Sequence, residues 1–299
     1  MTRLRADALL LLTAIIWGTA FVAQKAANET MGPITFVGAR FLLSAIVVLP
    51  LALYETRGAD RPITRSDGLL AGLIGLCLFI GSCLQQTALI TTTATNGGFL
   101  TALYVVLVPI TTWLLTRERV RAVVVLACLV SISGAWLLSA HGGAQGIALG
   151  DALLVISDIA WAFGISLIAV FLKRTARPMF LSCVQYAVTA VLGLAAALIF
   201  ESPDWMGIQA ALLPLLYAGV ISGGIAFTLQ NVAQRHTPAP EAALIMSLES
   251  VFAAIAGAIW LGERLGAVAS LGCVLILAGV LIAEIGPLSR RRRTSSRCT

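Results

Sequence analysis

The sequence predicts an all-α integral membrane protein: ten transmembrane helices, arranged as two inverted five-helix repeats around a central cavity. Three observations carry this expectation. Of 299 residues, 59% are hydrophobic and 11% charged, with a mean hydropathy of +0.96, whereas a soluble globular chain carries roughly a quarter charged residues. The opening phrase Asp7-Ala-Leu-Leu-Leu-Leu-Thr-Ala-Ile-Ile-Trp17 returns as Asp151-Ala-Leu-Leu-Val-Ile-Ser-Asp-Ile-Ala-Trp161, the mark of a tandem duplication. Each copy holds an odd number of apolar runs, so the second copy must enter the membrane from the side opposite to the first.

The duplication extends beyond its opening. Arg40-Phe41 recurs as Gln185-Tyr186, Gln85-Gln86 as Gln230-Asn231, Glu118 as Glu263, and Cys128 with Gly134 as Cys273 with Gly279. Inverted repeats create a pseudo-two-fold axis in the membrane plane and place a binding site near mid-bilayer, which rocking of the halves exposes to each side in turn.

A helix crossing the ~30 Å hydrocarbon layer needs about 20 apolar residues. Apolar runs of that kind cover residues 7–27, 33–54, 67–90, 94–116, 121–140, 148–172, 178–200, 207–233, 240–261 and 265–286. Pro33, Pro178 and Pro240 open runs, where a missing N–H costs nothing. Gly142-Gly143 closes the fifth. The expected organisation is a first repeat over 1–140, a linker at 141–147, a second, inverted repeat over 148–286 and a basic tail at 287–299. Arg3 and Arg5 before an apolar run imitate a signal peptide, but the recurrence of that run at Asp151 argues for a retained span.

With the N-terminus in the cytoplasm, seventeen of the twenty Lys and Arg residues fall on the cytoplasmic side, against Lys25 and Arg264 outside and Arg40 within a span. Positive residues accumulate inside, so both termini are expected to be cytoplasmic, in a bacterial inner membrane. Arg290–Arg293 then lie beside anionic lipid. That cluster follows the last apolar run and is not interleaved with exposed aromatics, which argues against nucleic acid as a partner. The six cysteines show no CxxC spacing, and His141 and His236 sit at run ends, so no metal site is expected. No GxxxxGK[ST] loop and no HExxH motif occurs. Neither a cofactor nor a catalytic residue is expected, which leaves a membrane-embedded enzyme as the weaker alternative. A passive channel is a third reading, separable from a carrier by saturation and counterflow.

The ten spans, the duplicated halves, the Trp17-Gly18 opening and the closing motifs Thr116-Arg117-Glu118-Arg119 and Leu261-Gly262-Glu263-Arg264 resemble the EamA family of the drug/metabolite transporter superfamily. The resemblance covers almost the whole chain. It implies a secondary transporter that exports small metabolites, with bacterial exporters of amino acids as the nearest likeness and nucleotide sugars, drugs or other metabolites as alternative substrates. Protons are a candidate coupling ion.

A charge in hydrocarbon costs at least ~2.5–3.5 kcal/mol on insertion scales, so an ionisable group there faces a cavity or a partner. Arg40, Asp158 and Glu249 lie roughly 10–15 Å deep at 1.5 Å per residue, while Glu284 is near a run end. For Arg40 two readings stand: an internal ion pair, or a receiver of a substrate carboxylate. Glu249, which must be hydrated, paired or protonated, is matched in the first repeat by Tyr104. Asn96, Leu100 and Tyr104, like Glu241, Ile245 and Glu249, form a stripe at four-residue spacing. Thr13-Trp17-Gln24 and Ser157-Trp161 share single faces of the first and sixth spans, and an indole's apolar body with one N–H suits a cavity wall. Faces Phe79-Ser82-Gln86 and Gly224-Phe227-Asn231 lead to the amide pairs, which form either a cavity rim or an interhelical clamp. The candidate substrate-binding set is therefore Thr13, Trp17, Arg40, Phe79, Ser82, Gln86, Asn96, Tyr104, Ser157, Trp161, Phe227 and Glu249. The fifth and tenth spans carry small residues in place of polar ones and are expected at the periphery.

Overall fold

A computed structural model describes residues 1–58, 61–117, 122–139 and 149–295. The helices are α1 (Arg3–Ala27), α2 (Pro33–Arg57), α3 (Arg65–Ala88), α4 (Ala94–Thr101), α5 (Tyr104–Thr116), α6 (Ala122–Ser139), α7 (Leu149–Thr175), α8 (Pro178–Phe200), α9 (Trp205–Ala210), α10 (Leu212–Leu216), a π-helix (Tyr217–Ala226), α11 (Phe227–Gln234), α12 (Ala239–Ser247), α13 (Glu249–Trp260) and α14 (Ala267–Ser295). Among the described residues eight helical segments are long and apolar enough to cross a membrane, with α4–α5, α10–α11 and α12–α13 each counting as one. The fifth and tenth runs are α6 and α14, and α14 carries the shorter apolar stretch Ala267–Gly279. The ten-helix plan holds. Glu118 and the expected linker at 141–147 lie outside the described residues, and Arg290–Arg293 continue the last helix.

Helix packing follows the duplication. The second and seventh spans pack on each other (α2 with α8), as do the fifth and tenth (α6 with α14). The third packs on the sixth (α3 with α7), and the first packs on the eighth (α1 with the π-helix and α11), so exchanging the repeats leaves the pattern unchanged. Close approach is built from glycine. A Cβ on Gly38 would stand 2.7 Å from the Leu194 nitrogen, and one on Gly134 would stand 2.6 Å from the Gly272 oxygen. α6 and α14 therefore seal against one another at the periphery, with Gly279 backing onto Ala127 and Ser131.

The repeats also cap one another's helices. The first N–H groups of a helix lack intrahelical acceptors. Glu201, at the end of α8, accepts from the N–H groups of Ile34 and Thr35 (2.9 and 2.8 Å) and from the Thr35 hydroxyl. Glu55, near the end of α2, accepts from Met179 and Phe180 (3.3 and 2.8 Å). Glu263 does the same for Ala94 and Thr95 (both 2.9 Å). Thr92 donates to Asp151 (2.6 Å) and Thr237 donates to Asp7 (2.9 Å). Asp67, which accepts from Thr64 to open α3, also meets Arg174 and Arg61 at 3.2 and 3.7 Å.

Two spans break in their middle at matching places. The fourth tightens to i→i−3 bonds at Leu103 before α5 starts at Tyr104, and the ninth does so at Leu248 before α13 starts at Glu249. The four-residue stripes read through these points are thus interrupted, and Leu100 is buried among Phe99, Leu103 and Leu154. The eighth span departs differently, by the ten-residue π-helix. Carbonyls along it receive side chains from the first repeat: Gly219 from Ser44 (2.7 Å), Ser222 from Trp17 (3.3 Å) and Ala226 from Thr13 (3.3 Å).

Candidate functional site

Between the repeats lies a cavity whose wall includes Trp17, Arg40, Tyr104, Trp161, Phe227 and Glu249 from the expected set. The remaining wall is apolar apart from Thr101, Ser222 and four amides, Gln24, Gln85, Gln185 and Gln230. The spans that supply it are the first four and the sixth to ninth.

One side of the wall is aromatic. Phe227, the first residue after the π-helix, holds its ring 4.4 Å from Trp17 and 5.9 Å from both Trp161 and Phe41, centroid to centroid. Aromatic pairs at such separations attract one another beyond the area they bury, so the rings form a fixed surface.

Arg40 is 3% exposed. Its Nη1 donates to Gln24 Oε1 (3.0 Å), which also accepts from Gln85 Nε2 (3.2 Å). Its guanidinium lies over the Phe41 and Phe36 rings, at 4.7 and 5.7 Å. No carboxylate pairs with it among the described residues, so the internal ion pair, one of the two readings of its sequence, is not found. Amides and aromatic faces orient the cation without neutralising it.

Glu249 is also 3% exposed, and the Tyr104 hydroxyl lies beside it without closing a well-formed hydrogen bond. Asp158 is fully buried on α7. Buried polar atoms without a partner among the described residues include Arg40 Nε, Tyr104 Oη, both Asp158 oxygens, Trp161 Nε1, Gln185 Nε2, Gln230 Oε1 and Glu249 Oε1. Polar groups buried in a protein are nearly all hydrogen-bonded; of the exceptions, those on Arg40, Thr101, Tyr104, Trp161, Gln185, Gln230 and Glu249 line the cavity, and those on Asp67, Ser82, Gln86, Ser131, Asp158 and Asn231 lie elsewhere. Such a wall is chemically prepared for a solute that brings its own donors and acceptors.

The other expected residues are placed elsewhere. Thr13 donates to Leu9 and Ala226 carbonyls, and Ser157 to that of Leu154. Gln86 Nε2 ties α3 to α1 through the Gln24 carbonyl (2.9 Å) and Asn28 Oδ1 (2.8 Å). Ser82 is fully buried, Phe79 is half-buried, and half-buried Asn96 sits in the first turn of α4. Each amide pair therefore divides its work: Gln85 and Gln230 face the cavity, whereas Gln86 clamps α1 and Asn231 clamps Ser182 of α8 (2.8 Å). Neighbouring residues on a helix point about 100° apart. The signal that finds Gln85 is Ile74 and Leu78 on the same face; Gln185 is found by its equivalence to Arg40.

The relatives of this chain are transporters. An uncharacterized transporter of Archaeoglobus fulgidus is 33% identical over 283 residues, which cover 95% of this chain and 87% of its own. The uncharacterized inner membrane transporter YedA of Escherichia coli K12 is 25% identical, covering 91% of this chain and 88% of its own. A protein of known crystal structure shares the fold with a TM-score of 0.69 at 21% identity, over 96% of this chain and 98% of its own. The EamA-like transporter family model matches residues 4–140 and again 148–284. With both repeats matched and eight helices suited to crossing a bilayer, the chain belongs to the EamA-like transporter family.

Proposed function

We propose that this transporter exports small amphipathic metabolites, with amino acids as the substrate class, across the bacterial inner membrane by alternating access. The observation that carries the reading is the polarity of the cavity: an unneutralised guanidinium at Arg40 and a carboxyl at Glu249 share one wall with the Trp17, Trp161 and Phe227 rings. A zwitterion supplies a carboxylate to Arg40 and an ammonium to Glu249, so a charge of each sign finds a partner, while the rings receive an apolar side chain. Reciprocal capping between the repeats and the mid-membrane breaks at Leu103 and Leu248 support two bodies moving about a central site.

Orientation follows the charge bias, with both termini and the segment from Arg57 to Arg65 cytoplasmic. A cytoplasmic reporter active at Gly142 and silent at Arg61 would reverse it.

The test is uptake by liposomes holding the purified protein, with a panel of labelled amino acids and nucleotide sugars. Saturable uptake and counterflow of an apolar amino acid such as L-leucine are expected. Competition sharpens the result. L-Leucine should inhibit more strongly than 4-methylpentanoate, which lacks the ammonium, and than 3-methylbutylamine, which lacks the carboxylate. Equal inhibition by all three, or uptake confined to nucleotide sugars, refutes zwitterion recognition.

A further inference from the structure

At the face that the charge bias assigns to the cytoplasm lies a second pocket, apart from the cavity. Its wall includes Glu55 near the end of α2, Arg61 in the α2–α3 connection, Asp67 at the start of α3, Arg177 just before α8 and Arg235 just after α11. None of these residues lines the cavity.

The two acids are already engaged. Glu55 accepts from the first N–H groups of α8, while Asp67 accepts from Thr64 and meets Arg174 and Arg61 at 3.2 and 3.7 Å. Two of the cations are not answered in turn. Arg177 is 7% exposed, yet it donates through Nη2 to the Arg61 carbonyl and meets no carboxylate among the described residues. Arg235 is exposed and likewise meets none. Buried charges are paired as a rule, so the pocket beside Arg177 is electrostatically fitted for an anion.

Topology does not explain that burial. Positive charges set orientation by their number beside the spans, and Lys173 and Arg174 serve that purpose while exposed. Nor does the helix cap need it. At the opposite face Glu201 caps α2 with Gly32 in the place of Arg177, and Ile90 stands in the place of Arg235. A side chain at Gly32 would collide with the Glu201 carboxylate, so that face has no room for a cation. Ala176, next to Arg177, holds a left-handed backbone with φ 55°, which disfavours any residue with a Cβ.

Guanidinium groups bind phosphate through paired hydrogen bonds, and basic pockets between spans on the cytoplasmic side bind anionic lipid headgroups. An apolar path leads away from this pocket. Val47 and Leu51 precede Glu55 by two turns and one turn on the same face of α2, and both are exposed. Acyl chains can follow that strip, for which a free phosphate has no use.

We propose that Arg177 and Arg235, with Arg61 beside them, bind the phosphate of an anionic phospholipid whose chains run along Val47 and Leu51. Arg61 belongs to the first repeat, whereas Arg177 and Arg235 belong to the second, so the lipid bridges the repeats at one face. The proposal does not depend on which solute is carried.

The first measurement is native mass spectrometry of the full-length protein released from micelles doped with phosphatidylglycerol or phosphatidylcholine. One phosphatidylglycerol should remain on the wild type, with an affinity that falls about tenfold or more in Arg177→Gln combined with Arg235→Gln. Arg65→Gln removes an exposed charge from the same face, outside the pocket, and should leave binding nearly unchanged. Equal retention of both lipids, or equal losses in the pocket variant and in Arg65→Gln, overturns the proposal by reducing it to general attraction of anionic lipid. Arg235→Gln alone alters only an exposed side chain, so it decides the matter if the double variant does not fold: it should weaken phosphatidylglycerol binding several-fold, and no weakening overturns the proposal.

The second measurement is thermal unfolding, which separates a lipid from a soluble anion. Phosphatidylglycerol should raise the unfolding midpoint of the wild type and of Arg65→Gln more than that of Arg235→Gln, and inorganic phosphate should raise it little. A midpoint raised by inorganic phosphate and not by phosphatidylglycerol would give the pocket to a soluble anion and overturn the lipid assignment.

Discussion

Glu201 caps the start of α2 as Glu55 caps the start of α8, through the N–H groups of the equivalent pairs Ile34–Thr35 and Met179–Phe180, yet Arg40 midway along α2 is answered on α8 by Gln185. The contrast recurs. Thr92 and Thr237 bond Asp151 and Asp7 alike at the membrane faces, whereas at depth Tyr104 is answered by Glu249, Ala14 by Asp158, and the regular α3 by a π-helix. Duplicated helix ends hold two copies of one body against each other, and that task is the same for each copy. A solute with two unlike ends is not symmetric, and divergence is concentrated where it would bind.

The largest expected effect comes from erasing that divergence at one position. Arg40→Gln gives both repeats the same residue and removes the only guanidinium in the cavity wall among the described residues. Hydrogen bonds to charged groups contribute about 1.5–3 kcal/mol, so half-saturation by L-leucine should rise about 10- to 150-fold. Adding Gln185→Arg returns the charge to the equivalent site and should recover part of the loss. No recovery, with the double variant folded, would mean that the cavity is not functionally two-fold.

How much of this could be read from the chain depends on the level. Ten apolar runs and their duplication are long-range patterns, and packing could not hide them. Trp17, Trp161, Arg40, Tyr104, Phe227 and Glu249 stand out because large or charged groups at mid-span need a reason to be there. Register within an amide pair is harder: Gln85 and Gln86 differ by 100° of helix rotation, and which faces the cavity is decided by packing against α1 and α7. The π-helix adds residues to a turn, so no 3.6-residue template reveals it. Asp158 is buried on α7 with neither oxygen partnered among the described residues, and its first-repeat equivalent is an alanine, so duplication gives no hint.

Removing a cap tests the other side of the contrast, with an effect on stability and not on recognition. Glu201→Ala and Glu263→Ala each leave two helix N–H groups and a threonine hydroxyl without their acceptor. Losing a helix cap costs about 0.5–2 kcal/mol, and these lie at its upper end. Thermal unfolding in detergent should show both variants lowered by similar amounts, with half-saturation by L-leucine unaltered. A change in substrate preference from either would show that the caps shape the cavity.

The smallest expected effects come from Thr92→Val and Thr237→Val, and their difference is the informative quantity. The two hydroxyls make equivalent bonds to Asp151 and Asp7, but the acceptors differ in surroundings. Asp151 is 3% exposed, so without Thr92 a buried carboxylate loses a donor. Asp7 is half-buried, meets Arg3 at 3.8 Å, and keeps that contact without Thr237. A typical hydrogen bond contributes about 0.5–1.5 kcal/mol net, with more lost when the remaining partner stays buried. Thr92→Val should therefore cost about 1.5 kcal/mol and Thr237→Val about 0.5 kcal/mol, read as shifts in the unfolding midpoint. Equal shifts would mean that Asp151 finds water or another donor, and that symmetry at the helix ends extends to their energies. A larger shift from Thr237→Val would place the stronger latch on the face that holds the N-terminus.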